Sequence, residues 1–188
     1  NEFVFVGPED DPAGVSQAAS GREAIQKLQM SGQPLITFRD PGSYQVLKRL
    51  MDQANLVPAQ LQLLPDTVNR PQQILVQAAR DLAYVVVGHL PVAFGRMPSE
   101  GTRILLSGDP SIRRAYVVVT PGPQHSATPA ARVNAEKLAE YLLSEDGQRV
   151  LSESGPTAGV PWIFPRVNAS GLLQFQVPQR TRSGTRGQ

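Results

Sequence analysis

The sequence Asn1-Glu-Phe-Val-Phe-Val-Gly7 places four apolar residues, Phe3 to Val6, in an unbroken run. A run this short predicts a β-strand, and its lack of alternation predicts burial on both faces. Residues 82–87 and 116–119 form two more runs of this kind. Further strands are predicted at residues 35–38, 61–64 and 104–106. The predicted core is therefore a set of short, buried strands.

Helical periodicity fills the segments between these strands. Ser20 is placed to cap a helix that ends near Met30, with Glu23 at the capping-box position. Further helices are predicted from residue 44 to 55, from 71 onward, from 128 to 144 and from 145 to 155. Strands that alternate with helices predict an α/β fold with a mostly parallel sheet.

The composition excludes several classes of protein. The chain has 188 residues, a net charge of +2 and no cysteine, so disulfides, thiolate metal sites and thiol nucleophiles are excluded. Its cations are not clustered among aromatic residues, and no nucleic-acid surface is predicted. No apolar run approaches the ~20 residues that a membrane span needs. The chain begins inside a strand-like run, which predicts part of a longer protein.

One segment has the chemistry of an anion site. Arg39-Asp-Pro-Gly-Ser43 follows a predicted strand and precedes a predicted helix, and the free N–H groups and dipole of a helix N-terminus favour negative charge. Gly42 lets the backbone approach a ligand, Ser43 offers a hydroxyl, and Arg39 supplies a charged fork. The same Asp-Pro-Gly-Ser pattern before a helix is typical of a plain turn and cap. Both interpretations stay open at this point.

Sequence motifs of catalysis do not occur. The chain has no Gly-x-Ser-x-Gly, His-Glu-x-x-His, P-loop or dinucleotide fingerprint. His89 and His125 are the only histidines, and neither has a carboxylate at a metal-ligand spacing. Asp10 and Asp11 lie in a proline-flanked turn, where we expect both to be solvated. The sequence therefore predicts no metal site and no cofactor, and it predicts that the chain is not an enzyme.

Five segments along the chain carry a resemblance in sequence and in order. They are Asn1-Glu-Phe-Val-Phe-Val-Gly-Pro-Glu-Asp-Asp-Pro-Ala-Gly14, Leu105-Leu-Ser-Gly-Asp-Pro110, Ala115-Tyr-Val-Val-Val119, Leu142-Leu-Ser-Glu-Asp-Gly-Gln148 and Val160-Pro-Trp-Ile-Phe-Pro165. Together they resemble segments of the periplasmic tungstate- and molybdate-type solute-binding proteins of bacterial ABC importers. The resemblance covers residues 1–169.

The resemblance implies a hinged, two-lobed fold with α/β/α layers. Residues 1–7 would cross the hinge, residues 8–112 would form the second lobe, residues 113–170 would return to the first lobe, and residues 171–188 would be a tail. The upstream part of the first lobe would precede Asn1. The implied function is capture of a small anion, such as tungstate or molybdate, in the periplasm or outside the cell. The implied partner is the permease of an ABC importer.

The resemblance also directs attention to the loops that face the ligand in that family. Their counterparts here are Gly42-Ser-Tyr-Gln45, Val68-Asn-Arg-Pro-Gln72 and Gly88-His-Leu-Pro91, and all three differ in sequence from the family's own loops. The predicted binding residues are Arg39, Asp40, Gly42, Ser43, Tyr44, Arg70 and His89. Because the loops differ, the alternative is a degenerate binding-protein domain used for sensing or protein interaction.

Overall fold

The computed structural model describes residues 1–155 and 163–164. Trp162 of the last quoted phrase and the predicted tail at residues 171–188 lie outside the described residues. The chain divides into two compact units, Asn1–Val118 and Val119–Gln188. No helix in the described part is long and apolar enough to span a bilayer.

The first unit is built on one five-stranded sheet. Its strands are β1 (Phe3–Pro8), β2 (Leu35–Thr37), β3 (Leu63–Pro65), β4 (Tyr84–Gly88) and β5 (Thr102–Leu106), in the order β3-β2-β4-β1-β5. Strand β2 pairs in parallel with β3 and β4, whereas β1 is antiparallel to both β4 and β5. Four strands therefore share one direction, as predicted, but the reversed β1 makes the sheet mixed. Apolar patterning marks burial and carries no information on strand direction.

The described residues form six α-helices. They are α1 (Gly21–Ser31), α2 (Pro41–Ala54), α3 (Ile74–Arg80), α4 (His89–Ala93), α5 (Pro129–Leu143) and α6 (Glu145–Ser152). Ser20 caps α1 through the N–H of Glu23, as its position in the sequence predicts. Helices α5 and α6 belong to the second unit, where a methyl group added at the buried Gly147 would clash with the Tyr141 carbonyl oxygen.

Two apolar clusters cover the two faces of the sheet. Phe3 and Phe5 contact one cluster with α1 and α2, while the alternate residues Val4 and Val6 contact the other with α3. All four residues are at most 5% exposed. Alternate residues of a strand point to opposite faces, so a continuous apolar run is what a strand between two helical layers requires. The implied α/β/α layering is thus present in this unit.

One predicted strand is wrong. Residues 116–119 have no regular secondary structure, and Val117 and Val119 are 77% and 84% exposed. A strand forms only when a neighbour satisfies its N–H and C=O groups. Among the described strands, none pairs with this segment. The apolar run is typical of a strand, but the sequence does not reveal whether a neighbouring strand is present to pair with it.

Gly7 is a position in β1 where close packing leaves no room for a side chain. A methyl group added there would lie 2.6 Å from Tyr84 Cδ1 and 2.8 Å from Leu105 Cδ1. We expect Gly7→Ala to lower the free energy of unfolding by about 1–3 kcal/mol, because a buried strand must shift to admit the methyl group. Urea denaturation measures this change. Gly122→Ala is the matched control, since nothing lies within 4 Å of a methyl group there, and equal stability of both variants would contradict the packing argument.

Candidate functional site

The ends of four strands and the start of a fifth lie along one edge of the sheet. Strands β2, β3, β4 and β5 end there, and the antiparallel β1 begins there, so that Phe3 pairs with Gly88. A methyl group added at Gly42 would lie 2.8 Å from Phe3 Cζ. The start of α2 and the start of α4 therefore both lie beside Phe3. We call this region, formed by residues 2–3, 39–44 and 88–89, the carboxyl edge.

The N-terminus of α2 is the best-defined element of the carboxyl edge. Asp40 caps the helix, with its Oδ2 accepting a hydrogen bond from the Ser43 N–H at 2.9 Å, and Pro41 occupies the first turn. Ser43 is 1% exposed, and its Oγ has no hydrogen-bond partner. A buried hydroxyl without a partner costs about 1–3 kcal/mol. Such a group is the expected sign of a missing ligand or water contact.

Gly42 has a different role from the one predicted for it. Its close contact with the Phe3 ring leaves no room for a side chain, so glycine is required here by the packing of α2 on β1. Approach of the backbone to a ligand is not needed to explain the residue. The interpretation as a turn and cap thus accounts for Asp40 and Gly42, and leaves Ser43 unexplained.

Arg39 is already engaged by the neighbouring loop. Its Nε lies 3.2 Å from Asp66 Oδ2, and its guanidinium group also donates to the Val68 carbonyl. The side chain of Asp66 is only 3% exposed, so this carboxylate needs a cationic partner. The charge of Arg39 therefore holds the loop after β2 against the loop after β3.

Two other predicted residues lie open to solvent. Tyr44 is 48% exposed on the first turn of α2, and Arg70 is exposed at the start of the 3₁₀ turn Pro71–Gln73. A shallow concavity of 220 Å³ lies beside that turn, with Asn69, Gln77 and Arg80 in its wall. None of the seven predicted binding residues lines it. The concavity therefore shares no residue with the carboxyl edge.

Glu2 is a residue of the carboxyl edge that sequence reasoning missed. It is 4% exposed; its Oε2 accepts the Gly108 N–H at 2.7 Å, and its Oε1 lies 3.2 Å from His89 Nδ1. The Glu2 carbonyl also accepts the His89 N–H. Burial alone would raise the pKa of Glu2, but the hydrogen bonds from His89 and Gly108 outweigh it and hold this pKa below its ordinary value. The sequence signal that could have identified Glu2 is its position as an acidic residue directly before a buried strand.

The two acids Asp10 and Asp11 do not form a catalytic pair. Asp10 is exposed, whereas Asp11 is buried, contrary to the expectation that both are solvated. Asp11 accepts hydrogen bonds from the N–H groups of Val15 and Ser16 and from the Tyr84 hydroxyl, at 2.7–2.9 Å. Burial raises its pKa, but these bonds prevail and hold the pKa of Asp11 below its usual value. The residue fixes the loop that follows β1.

Metal ligands do not gather anywhere in the described part of the chain. Within residues 1–155 and 163–164, no group of three His, Asp or Glu side chains could hold a metal ion.

The carboxylate of Asp109 lies at the start of α1, where its Oδ2 accepts the Gly21 N–H at 2.6 Å. That helix N-terminus is therefore occupied by the protein's own carboxylate.

The fold matches solved structures of binding proteins. The tungstate-binding protein TupA from Desulfovibrio alaskensis superposes with a TM-score of 0.63 at 18% identity, over 88% of this chain and 67% of that one. A structure described as the tungstate ABC transporter from Geobacter sulfurreducens gives 0.56 at 22% identity, over 81% and 64%. The chain has the fold of these binding proteins. It spans about two thirds of their length.

A third structure comes from a protein closer in extent to this chain. It is a periplasmic protein provisionally described as metal-binding, with a TM-score of 0.63 at 19% identity, over 87% of this chain and 85% of its own. No protein-family model and no curated protein matches the sequence. The structural likeness therefore establishes a solute-binding-protein fold.

The buried Asp11 generates a prediction on stability and pH. We expect Asp11→Asn to lower the free energy of unfolding at pH 7 by about 1–3 kcal/mol, because an amide nitrogen would face a donor. Since the folded pKa of Asp11 lies below the ordinary value of an aspartate, the wild type loses this contribution as the pH falls below that ordinary value and through the folded pKa. The deficit of the variant should therefore shrink below about pH 4.

Chemical denaturation at several pH values checks the effect of Asp11. The exposed neighbour Asp10 supplies the matched control, and Asp10→Asn should leave the stability within about 0.5 kcal/mol of wild type. A deficit of Asp11→Asn that stays constant down to pH 3 would show that its carboxylate is not stabilised in the folded protein.

Proposed function

We propose that this chain is the solute-binding part of an ABC importer and captures a small anion, such as tungstate or molybdate, at the carboxyl edge. The observation that carries the proposal is the buried, unpartnered Ser43 hydroxyl at the N-terminus of α2. A tetrahedral oxyanion offers acceptors to this hydroxyl and to the Gly42 N–H of the first helical turn, where Pro41 has no N–H and the Ser43 N–H is bound by Asp40. The tungstate-related structures with the same fold support this choice of ligand.

The proposed role of each predicted residue follows from its position. Ser43 donates to the anion, and His89 lies beside the same Phe3. Arg70 and Tyr44 are exposed and close on the ligand from the rim. Asp40 and the Arg39–Asp66 pair hold the loops in place rather than supply free charge.

The proposed domain organisation explains why the apolar residues 116–119 are exposed. Residues 1–7 cross the hinge, residues 8–112 form one lobe, and residues 113–170 belong to the other. Four consecutive apolar residues exposed to water are costly, and α5 has no buried residue at all. Each observation supports a further element, not among the described residues, that packs against the apolar side chains concerned. The proposed location is the periplasm or the outside of the cell, with the permease of the importer as partner.

The second candidate is a binding-protein-like domain that serves in sensing or protein interaction. The exposed valines favour it, because contiguous apolar surface marks a site of association. The engaged Arg39 also favours it, since the most obvious anion receptor is not free. Binding of a protein without binding of any anion distinguishes this candidate from the first.

The anion proposal predicts a pattern among variants at α2. Isothermal titration with tungstate, molybdate, sulfate and phosphate should give heat with at least one of them. Ser43→Ala should weaken that binding about tenfold, since a hydrogen bond to a charged group is lost. Asp40→Asn should strengthen it, because the amide oxygen can still accept from the Ser43 N–H while a negative charge beside the anion is removed.

Two controls accompany this titration. Ser31→Ala changes the last residue of α1, away from the carboxyl edge, and should leave the affinity unchanged. Unlike the Ser43 hydroxyl, the Ser31 hydroxyl donates to a protein group, the Leu28 carbonyl. Ser43→Ala should cost little stability without ligand, because its Oγ has no partner in the protein. Absence of heat with all four anions rejects the oxyanion function and leaves the interaction domain as the remaining candidate.

A further inference from the structure

The carboxylate of Asp40 lies over the first turn of α2. Its Oδ2 accepts the Ser43 N–H at 2.9 Å, and a methyl group added at Gly42 would lie 3.2 Å from the same oxygen. The other oxygen, Oδ1, accepts no hydrogen bond from residues 1–155 or 163–164, and Asp40 is exposed to solvent. A solute that contacts the Gly42 N–H and the Ser43 hydroxyl therefore also meets the carboxylate of Asp40.

The neighbouring cation does not balance the charge of Asp40. Arg39 directs its Nε to Asp66 Oδ2 at 3.2 Å, and its backbone N–H donates to the same oxygen. Only 3% of the Asp66 side chain is exposed, so this carboxylate has little water to replace the guanidinium. One guanidinium thus stands beside two carboxylates, those of Asp66 and Asp40. The charge of Asp40 is left uncompensated by Arg39.

An uncompensated carboxylate distinguishes anions by the protons they carry. An ionised carboxylate only accepts hydrogen bonds, so an oxyanion without a proton meets it with repulsion alone. An oxyanion that carries a proton can donate its O–H to Asp40 Oδ1, while its other oxygens accept from Ser43 and Gly42. Hydrogen bonds to a charged acceptor are among the stronger ones. A site that binds a ligand O–H in this way strongly rejects analogues that lack it.

We propose that Asp40 is a specificity-determining residue of the carboxyl edge, which selects an oxyanion that carries a proton, such as hydrogen phosphate, over a fully ionised one. This inference rests on the proposed anion-binding function and narrows its ligand class. Ser43 and the Gly42 N–H supply the contacts that all tetrahedral oxyanions share, and Asp40 supplies the difference between them. Sulfate, tungstate and molybdate, which carry no proton near neutral pH, are then the weaker ligands of the site.

Titration calorimetry with phosphate and sulfate tests this preference. At about pH 8 both are tetrahedral dianions, because phosphate has lost its second proton. They differ by the one proton that hydrogen phosphate retains. We expect the wild type to bind phosphate at least about tenfold more tightly than sulfate, since one charge-assisted hydrogen bond is gained. Molybdate should resemble sulfate, because it also has no proton to donate.

Asp40→Asn should change the two affinities in opposite directions. The amide oxygen still accepts the Ser43 N–H, whereas the amide nitrogen replaces an acceptor by a donor. Sulfate should therefore bind more tightly, and phosphate more weakly, so that the preference for phosphate falls by on the order of tenfold. If Asp40→Asn does not fold, Asp40→Ser tests the same ratio, because serine is a comparably good N-cap without a charge.

Two controls separate the position of Asp40 from its charge alone. Asp52→Asn removes a carboxylate that is exposed near the opposite end of α2. It should leave the ratio of phosphate to sulfate affinity unchanged. Ser43→Ala should weaken both anions by a similar factor, since the hydroxyl donates to either one, and should also leave their ratio unchanged.

The results distinguish the selectivity from the function on which it rests. Equal affinity of the wild type for phosphate and sulfate, or a shift of both in the same direction in Asp40→Asn, overturns the role of Asp40 and leaves the anion site standing. A ratio that Asp52→Asn alters as much as Asp40→Asn assigns the effect to overall charge and overturns that role as well. Absence of heat with every anion, phosphate included, overturns both the selectivity and the proposed function.

Discussion

The insertion of β1 between β4 and β5 is the contact on which the first unit depends. Its apolar residues Phe3 to Val6 send alternate side chains to the two sides of the sheet, so this strand belongs to both apolar clusters. Because β1 is the first strand in the chain and its neighbours are β4 and β5, the pairing closes the sheet over a long stretch of sequence. Such long-range pairing must overcome loop-closure entropy before it yields stability.

The same strand builds the candidate site. Its reversed direction brings its first residues to the edge where β2 and β4 end, and this alone places Glu2 and Phe3 among the loops predicted to face a ligand. Phe3 then fixes the start of α2 through Gly42, and Glu2 fixes His89. Stability and function therefore share residues at this edge. The buried Ser43 hydroxyl is the one polar group there whose presence the fold alone does not explain.

Helix α5 of the second unit follows its local sequence signals but is not packed against a core. Helix α5 has a proper N-cap, in which the Thr128 side chain accepts from the Ala131 N–H, yet it buries no residue. Local signals such as caps are satisfied within a few residues, whereas burial requires another element to pack against. The exposed valines before α5 have the same cause. The chain spans about two thirds of the length of the tungstate-related structures that share its fold.

The elements that follow local rules could be predicted from the order of the residues. Short apolar runs gave β1, β2 and β4, the Ser20 capping box gave α1, and Asp40-Pro-Gly-Ser43 gave the cap of α2. The sequence also indicated the resemblance to solute-binding proteins. Only the tertiary structure decided the direction of β1, the pairing of Arg39 with Asp66, the burial of Glu2 and Asp11, and the lack of a strand at residues 116–119. Each of these depends on a partner far away in the chain or outside it, and periodicity records which residues are apolar but not what they will meet.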